Sequence, residues 1–232
     1  MRQERAALVL FARAPVAGAV KTRLAGFLGS NGAAQLYRAF LEDAARLYAG
    51  GRWRPVLYAD GDPDDRELAD LFGPPWRREA QSDGDLGRRL AEAFRAERAR
   101  GAKDIVAVGS DHPALARAAL AELLEAVARG EDAAVVPAQD GGYCAIALGE
   151  RADPEAIFES IPWSSAATLE ATLRRIRALA LSATVLDPSY DVDRPEDLAL
   201  LRDDLARRDP MADDFPRATA AALARIAPGS PG

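Results

Sequence analysis

Two cations stand one residue apart at the end of a loop of small residues. The stretch FARAPVAGAVKTRL, residues 11–24, carries Lys21 and Arg23, and the chain has just one further lysine, Lys103, among its 30 basic residues. Small residues let backbone amides approach an anion, and the two cations could neutralise phosphate oxygens. The stretch differs from a P-loop, because Val20 stands where that motif has glycine, and it lacks a G-x-G-x-x-G run. A phosphate site and a surface loop with two solvated charges both fit the spacing.

Carboxylates follow two other strand-like runs. Asp111 ends the apolar run of IVAVGSDHP, and Asp191 and Asp193 lie in DPSYDVDRPEDL, before a helix that begins at Pro195. An acid at the end of an apolar strand is well placed to hold a hard cation such as magnesium, although it could also open a turn or cap a helix. Neighbouring carboxylates repel unless a cation or hydrogen bonds hold them, so Asp191 and Asp193 favour a cation site. A D-x-D-x-T phosphatase is excluded, because that motif follows the first strand and Pro195 occupies its threonine position.

Glycine-rich turns and one tryptophan give weaker signals. QSDGDLGRRL places Gly84 and Gly87 around a strand end, where a planar base could lie on the backbone. AQDGGYCAIAL places Asp140 at a glycine turn beside the next strand. Each of these stretches could also be a turn and nothing more. Trp163 fits either the core or the wall of an acceptor pocket.

The composition is that of a globular protein and limits the classes of partner that the chain is expected to bind. Of the 232 residues, 49% are hydrophobic and 28% are charged, and the formal net charge is −6. This balance supports a buried core and lacks the basic stripe of a nucleic-acid-binding protein. Cys144 and His112 are the single cysteine and histidine, which excludes an internal disulfide and His-rich or Cys-rich metal centres, and packing accounts for both. We find no signal peptide and no run near the roughly 20 apolar residues of a membrane span, so a cytoplasmic protein without a membrane or nucleic-acid partner is expected.

Strand and helix signals alternate along the chain. The runs with strand composition are ALVLFA, PVLYAD, KDIVAVGSD, DAAVVPA, YCAIAL and ATVLD. Between them, apolar residues recur at helical spacing. The alternation predicts one α/β domain, a Rossmann-like three-layer arrangement with a mostly parallel sheet, over residues 1–209. Residues 210–232 are expected to be a loosely attached tail. Ligands of such sheets bind outside the carboxyl ends of the strands, where Lys21, Asp111 and Asp193 are all expected.

The order of these motifs resembles a known family. FARAP…G…KTRLA, QSDGDLGRR, VGSDHPAL, PAQDGGYCAIAL, IFESIPWSS and YDVDRPEDL are similar to motifs of the radical-SAM/selenodomain-associated transferase 1 family. That family belongs to the nucleotide-diphospho-sugar transferases, with the glycosyltransferase-A fold. The KTRLA element also resembles 2-phospho-L-lactate guanylyltransferase and, more distantly, the molybdenum-cofactor nucleotidyltransferases. The resemblance runs from Leu8 to Leu201, implies the fold, and leaves the acceptor open.

The resemblance implies a role for the residues at each motif. The implied nucleotide-binding residues are Ala12, Arg13, Lys21, Arg23, Gln81, Asp85 and Gly87. The implied acceptor-binding residues are Asp140, Gly141, Gly142 and Trp163. Asp111 and Asp193 would hold Mg²⁺ or Mn²⁺, and Lys21, Arg23 and Asp111 would carry catalysis. Arg194 departs from the family, which usually has a threonine there, and removes a helix cap worth about 1 kcal/mol.

These implications predict a magnesium-dependent transferase that uses a nucleoside triphosphate or a nucleotide-sugar and a small-molecule acceptor. Nucleotidyl transfer is favoured: an acceptor phosphate or carboxylate would attack the α-phosphorus and expel pyrophosphate. A glycosyltransferase and a non-catalytic nucleotide-binding partner protein are the alternatives, and a homodimer is a possible assembly. Without a metal, Asp111 and Asp193 are expected to repel each other.

Overall fold

The computed structural model describes residues 6–226, in which strands and helices alternate. The strands are β1 (Ala6–Arg13), β2 (Arg54–Asp60), β3 (Arg77–Ala80), β4 (Asp104–Gly109), β5 (Ala133–Pro137), β6 (Tyr143–Leu148) and β7 (Ala183–Val185). The helices are α1 (Thr22–Ala49), α2 (Arg66–Leu71), α3 (Leu86–Ala99), α4 (Arg117–Ala128), α5 (Pro154–Phe158), α6 (Thr168–Ala178), α7 (Pro195–Ala206) and α8 (Arg217–Arg225). None of the helices in this part of the chain is long and apolar enough to cross a bilayer.

The strands form one seven-stranded sheet in the order β3-β2-β1-β4-β6-β5-β7. β1 pairs in parallel with β2 on one side and with β4 on the other. β6 is antiparallel to β4 and β5, and the other pairs within the described residues are parallel. The predicted single α/β domain with a mostly parallel sheet is therefore confirmed.

Both faces of the sheet are covered, which explains the uninterrupted apolar runs of the central strands. In β1, Leu8 and Leu10 pack in the core that includes α1 and α4, whereas Ala7 and Val9 pack in the core that includes α3 and α5. All four side chains are fully buried. The loops that follow β1, β2 and β4 therefore start from a sheet that is packed on both faces.

Two elements differ from the sequence-based expectation. Helical apolar spacing in GSNGAAQLYRAFLEDAARLYAGG predicts a first long helix from Gly29, but α1 begins at Thr22 and is interrupted at Gly29, where φ is 70°. The early start places the first helical turn directly behind the Lys21 loop. The strand β3 was not predicted, because its sequence RREA is polar, as suits a strand at the edge of the sheet.

The expectation of a loosely attached tail is wrong for residues 210–226. Helix α8 lies against α1, and the buried carboxylate of Asp43 accepts hydrogen bonds from the backbone N–H of Ala218 (3.1 Å) and Thr219 (2.7 Å) at the start of α8. Arg46, one turn further along α1, donates to the carbonyl oxygens of Asp213 and Phe215. These contacts join the segment to the domain. Residues 227–232, the rest of the expected tail, and residues 1–5, the start of the expected domain, lie outside the described residues.

Candidate functional site

A cavity of about 620 Å³ opens at the carboxyl ends of the central strands. Its walls come from the ends of β1, β2 and β4, the loop before α1, the first turns of α1 and α3, and the start of β6. One end holds the predicted cluster of Lys21, Asp111 and Asp193. The opposite end, beside β2 and the residue after β3, holds Asp60 and Gln81. The rule that ligands bind at this edge of an open sheet agrees with both locations.

Lys21 lies between the two carboxylates that were predicted to hold a metal. Its ammonium Nζ is 2.5 Å from Asp111 Oδ1 and 2.7 Å from Asp193 Oδ1, and just 3% of its side chain is exposed. Its backbone is left-handed, with φ 47° and ψ 42°, at the residue directly before α1. A non-glycine residue in this region is strained by about 1–3 kcal/mol and persists where the surroundings hold it. The rings of Tyr37 and Phe40 lie 5.8 and 5.7 Å from the ammonium.

Backbone contacts bring Asp193 to Asp111 across 82 residues of chain. The N–H of Val192, which is fully buried, donates to the carbonyl oxygen of Asp111 at 2.9 Å. On the other side of Asp193, the Asp197 carboxylate accepts from the N–H of Asp193 (2.9 Å) and of Arg194 (2.7 Å). Asp197 thus orders the start of α7, where Arg194 provides no side-chain cap. The two acids are presented by fixed backbone.

The charges of this cluster are compensated in the free protein. Burial alone would raise the pKa of Asp193, but the Lys21 ammonium and a hydrogen bond from the same lysine outweigh it and hold that pKa below its usual value. Burial raises the pKa of Asp191, and the neighbouring charges of Asp193 and Asp140 act in the same direction. The expected repulsion between Asp111 and Asp193 is therefore wrong for this state, because Lys21 separates them.

Asp111 and Asp193 fit a metal that arrives with a phosphate-bearing ligand. Among residues 6–226 there is no group of three or more His, Cys, Asp or Glu side chains arranged to hold a metal ion. Magnesium, however, is commonly held by one or two carboxylates together with substrate phosphates. The side chains of Asp111 and Asp193 are 44% and 34% exposed toward the cavity side. The donor set is suitable for such a shared site and too small for a site built from protein alone.

Tyr37 underlies this cluster and was not identified from the sequence. Its hydroxyl is 2.7 Å from Ser110 Oγ, at the end of β4, and accepts a hydrogen bond from the N–H of Arg13 (3.3 Å), at the end of β1. Burial raises its pKa, so the phenol is neutral at ordinary pH. Because Tyr37 has helical spacing with other apolar residues of α1, sequence pattern alone assigns it to the core. It joins two strand ends directly beneath Lys21.

A second polar group lies at the other end of the cavity. Ala12, Arg13 and Gln81, which were predicted from the sequence, line the cavity here. Arg23 was predicted too, and its exposed side chain lines the cavity near the Lys21 cluster. Two charged lining residues were missed: Asp60, at the end of β2, and Arg89, on α3. A charged residue at the end of a strand was the available signal for Asp60, whereas Arg89 has no distinguishing pattern.

Three predicted residues are placed away from the cavity lining. Asp85 is the N-cap of α3, and its carboxylate accepts from the N–H of Arg88 at 2.9 Å. Gly87 is buried against Trp163: a Cβ there would lie 2.6 Å from the indole nitrogen and 2.9 Å from the carbonyl oxygen of Phe158. The indole also contacts Phe158 and Tyr143, with ring centroids 6.0 and 6.3 Å away. Gly87 therefore permits close packing of α3, and Trp163 is partly buried and packs against the core on this face of the sheet.

The predicted acceptor turn, Asp140 to Gly142, also has a structural explanation. Asp140 Oδ1 accepts from the N–H of Gly142 at 2.9 Å. Gly141 has φ 89°, and a Cβ there would be 2.3 Å from the carbonyl oxygen of Ala166. The turn leads directly into Tyr143 and Cys144, which do line the cavity. It therefore sets the direction of β6 toward the cavity, without itself forming the wall.

The single histidine and cysteine lie in this wall in neutral form. Burial lowers the pKa of His112, whose Nδ1 is 3.3 Å from the carbonyl oxygen of Tyr190. Burial raises the pKa of Cys144 to about 12, and its Sγ is 3.7 Å from the carbonyl oxygen of Pro137. Both side chains pack against backbone, as was expected of them.

The fold and the cavity define a domain of the nucleotide-diphospho-sugar transferase type. A crystal structure from Desulfovibrio desulfuricans G20 described as a nucleotide-diphospho-sugar transferase superposes with a TM-score of 0.84 at 26% identity, covering 97% of this chain and 99% of that chain. A cytidylyltransferase from Leptospira borgpetersenii shares the fold, with a TM-score of 0.60 at 12% identity over 96% of this chain and 93% of that chain.

The chain belongs to the DUF2064 family, described as "Uncharacterized protein conserved in bacteria", which matches residues 43–165. It is also 32% identical to a phosphoenolpyruvate guanylyltransferase of Rubrobacter xylanophilus over 182 residues, which cover 78% of this chain and 86% of that relative.

Proposed function

We propose that this protein is a nucleotidyltransferase that joins a nucleoside monophosphate to a small phosphate- or carboxylate-bearing acceptor. The observation that carries the proposal is the cluster of Lys21, Asp111 and Asp193 at one end of a cavity large enough for a nucleotide. The similarity to a phosphoenolpyruvate guanylyltransferase supports a guanine nucleotide and phosphoenolpyruvate as the first substrates to test. Membership of the radical-SAM/selenodomain-associated transferase 1 group is part of the same proposal.

The residues at the cluster end suit in-line attack on the α-phosphorus. An acceptor oxygen forms the new bond to that phosphorus, the bond to the bridging oxygen of the β-phosphate breaks, and pyrophosphate leaves. Lys21 and Arg23 neutralise charge on the phosphates as it shifts toward the leaving group. An anionic acceptor needs no general base, which agrees with a site whose histidine is held neutral against backbone.

Asp111 and Asp193 would hold Mg²⁺ or Mn²⁺ together with phosphate oxygens, and the bound ion would supply further neutralisation of the triphosphate. In the free protein, Lys21 takes this role by pairing with both acids. A phosphate that enters the cavity offers the ammonium an alternative anionic partner. Lys21 therefore links phosphate binding to the charge state of the two carboxylates.

A glycosyltransferase is the second candidate, because a structure that covers 97% of this chain with a TM-score of 0.84 is described as a nucleotide-diphospho-sugar transferase. The same cations would then stabilise a departing nucleoside diphosphate. The two reactions leave different products. Nucleotidyl transfer from a nucleoside triphosphate releases pyrophosphate, whereas glycosyl transfer from a nucleotide-sugar releases a nucleoside diphosphate.

The experiment incubates the protein with each nucleoside triphosphate or nucleotide-sugar, phosphoenolpyruvate and Mg²⁺, and identifies the released product by chromatography. Pyrophosphate that depends on both nucleotide and acceptor supports the proposal. A nucleoside diphosphate released from a nucleotide-sugar would replace it with glycosyl transfer. Nucleotide binding without any product in a broad acceptor panel would favour a non-catalytic binding protein.

A further inference from the structure

Arg89 is held in a fixed orientation at the end of the cavity away from Lys21. Its Nη1 donates to Gln81 Oε1 at 3.0 Å and lies 3.2 Å from Asp60 Oδ1, and its Nε donates to the carbonyl oxygen of Gly84 at 3.1 Å. Its Nη2 makes no hydrogen bond with any residue of the described range 6–226. The guanidinium is thus anchored on one side and retains donors for a ligand in the cavity that it lines.

Gln81 serves to orient this arginine. Its Nε2 donates to the carbonyl oxygens of Tyr58 (2.9 Å) and Ala12 (3.4 Å), at the ends of β2 and β1. Two acceptors on the amide nitrogen side determine which way the amide points, and Oε1 must then face Arg89. Gln81 has both ends of its amide engaged by the protein, so it orients Arg89 and does not itself offer a group to a ligand.

The position of Arg89 matches the far end of a bound nucleotide. β2 and β4 flank β1 on opposite sides, so the Asp111 end and the Asp60 end are separated by two strand spacings, about 10 Å. A nucleotide whose phosphates contact Lys21 can extend along this cavity and place its base beside β2 and α3. The wall there adds the apolar side chains of Leu86 and Leu90 to the polar group.

We propose that Arg89, positioned by Gln81 and Asp60, is the residue that selects the nucleotide base, and that it favours bases with a carbonyl oxygen at the edge they present. Guanine offers two acceptors, O6 and N7, on one edge, whereas adenine presents an amino donor in place of O6. Cytosine likewise presents an amino donor where uracil presents a carbonyl. Arginine has donors alone, so it accepts guanine, hypoxanthine and uracil and opposes adenine and cytosine. This inference rests on the proposed function, because it assumes that a nucleotide occupies the cavity.

The test compares base preference in the wild type and in Arg89→Met, which keeps much of the aliphatic stem and removes every donor. Arg88→Met is the matched control, since Arg88 is the adjacent residue on α3 and its exposed side chain lies outside the cavity lining. Dissociation constants for GTP, ITP, ATP and UTP with Mg²⁺ are measured by calorimetric titration. ITP keeps O6 and N7 and lacks the 2-amino group, so it isolates the edge that Arg89 would read.

The wild type and Arg88→Met should bind GTP and ITP alike and more tightly than ATP. Arg89→Met should reduce the preference for GTP over ATP by roughly 10- to 150-fold, the range for loss of a hydrogen bond from a charged donor. Gln81→Met, which leaves Arg89 in place without its anchor, should reduce the same ratio by less. A merely structural role would weaken all four nucleotides equally and leave the ratio unchanged.

Two outcomes overturn the inference separately from the proposed function. A wild type that binds nucleotides without base preference, or that prefers ATP, contradicts base selection by Arg89 and leaves the proposal of nucleotide binding intact. A guanine preference that Arg89→Met leaves intact moves base selection to another residue. If the wild type binds none of the four nucleotides, the proposed function itself fails.

Discussion

Replacing Lys21 with methionine tests whether the ammonium holds Asp111 and Asp193 together. Nζ is 2.5 and 2.7 Å from the two carboxylates, and the lysine side chain is 3% exposed. Methionine keeps an apolar stem over the rings of Tyr37 and Phe40 and removes the charge. The two carboxylates then face each other without a cation, so the substitution should destabilise the fold.

The magnitude lies between two limits. Removing one partner of a fully buried ion pair costs about 3–5 kcal/mol, whereas exposed pairs contribute about 0.2–1 kcal/mol. Asp111 and Asp193 are 44% and 34% exposed, so water screens part of the effect. We expect a loss of about 2 kcal/mol in the free energy of unfolding. For a chain of this length that lowers the Tm by about 4–8 °C.

The loss should depend on pH in one direction. The pKa of Asp193 is lowered in the folded protein, because Lys21 outweighs the opposing effect of burial. A carboxyl group whose folded pKa is depressed stabilises the protein above its unfolded pKa, about 3.9, and this stabilisation is lost as the pH falls through the folded value. The Tm difference between the wild type and Lys21→Met should be full at pH 7 and should shrink below about pH 4.

The assay is a set of thermal melts at pH 7 and at low pH, each with and without Mn²⁺. Lys103→Met is the matched control: Lys103 is the other lysine, and it pairs with Glu150 at 2.8 Å on the surface, with side chains 41% and 61% exposed. Mn²⁺ should restore more stability to Lys21→Met than to the wild type or the control, because the two carboxylates then lack their internal cation. A variant as stable as the wild type at pH 7, or a deficit that persists unchanged at low pH, would show that the Lys21 ammonium does not hold the two carboxylates together.

Two further predictions concern Tyr37 and Asp43. Tyr37→Phe removes the hydroxyl that joins Ser110 to the N–H of Arg13. It should lower the free energy of unfolding in urea by about 1–2 kcal/mol and weaken binding of all nucleotides without changing the ratio of GTP to ATP affinity. A changed ratio would contradict a role limited to the phosphate end of the cavity. Asp43→Ala removes the acceptor for two N–H groups at the start of α8. It should lower the free energy of unfolding by about 1–3 kcal/mol and increase proteolysis near residue 210. An unchanged urea midpoint would instead support the expectation of a loosely attached tail.

The fold could be predicted because its signals are local. Fully buried strands such as β1 have continuous apolar sequences, and the helices between them have helical apolar spacing. The rule for open sheets then places the ends of β1 and β4 at one edge, which brought Lys21 and Asp111 to the same cavity. The polar edge strand β3 and the docked helix α8 escaped prediction, because tertiary contacts and not their own pattern stabilise them.

The details of the site depend on long-range contacts that no spacing reveals. Lys21 and Asp193 are 172 residues apart in the sequence. The segment that carries Asp193 is held beside Asp111 by the Val192 N–H, which donates to the Asp111 carbonyl oxygen. Gly87 shows a different limit: its type indicates a close approach, but the sequence does not say that the group packed against it is the indole of Trp163. Arg89 has no distinguishing neighbours in the sequence, and its place is defined by Gln81 and Asp60.

Transfer of the α-phosphorus is the defining step of a nucleotidyltransferase and can be followed with a radioactive label. The protein is incubated with GTP labelled with ³²P at the α-phosphate, phosphoenolpyruvate and Mg²⁺, and the label and pyrophosphate are quantified together. Nucleotidyl transfer at this cavity predicts that label moves from GTP to the acceptor in equal amount with released pyrophosphate, and that Asp111→Asn, which should retain the fold, abolishes both. Label that remains in GTP or appears solely in a nucleoside diphosphate, or an Asp111→Asn variant with undiminished transfer, would contradict nucleotidyl transfer at this cavity.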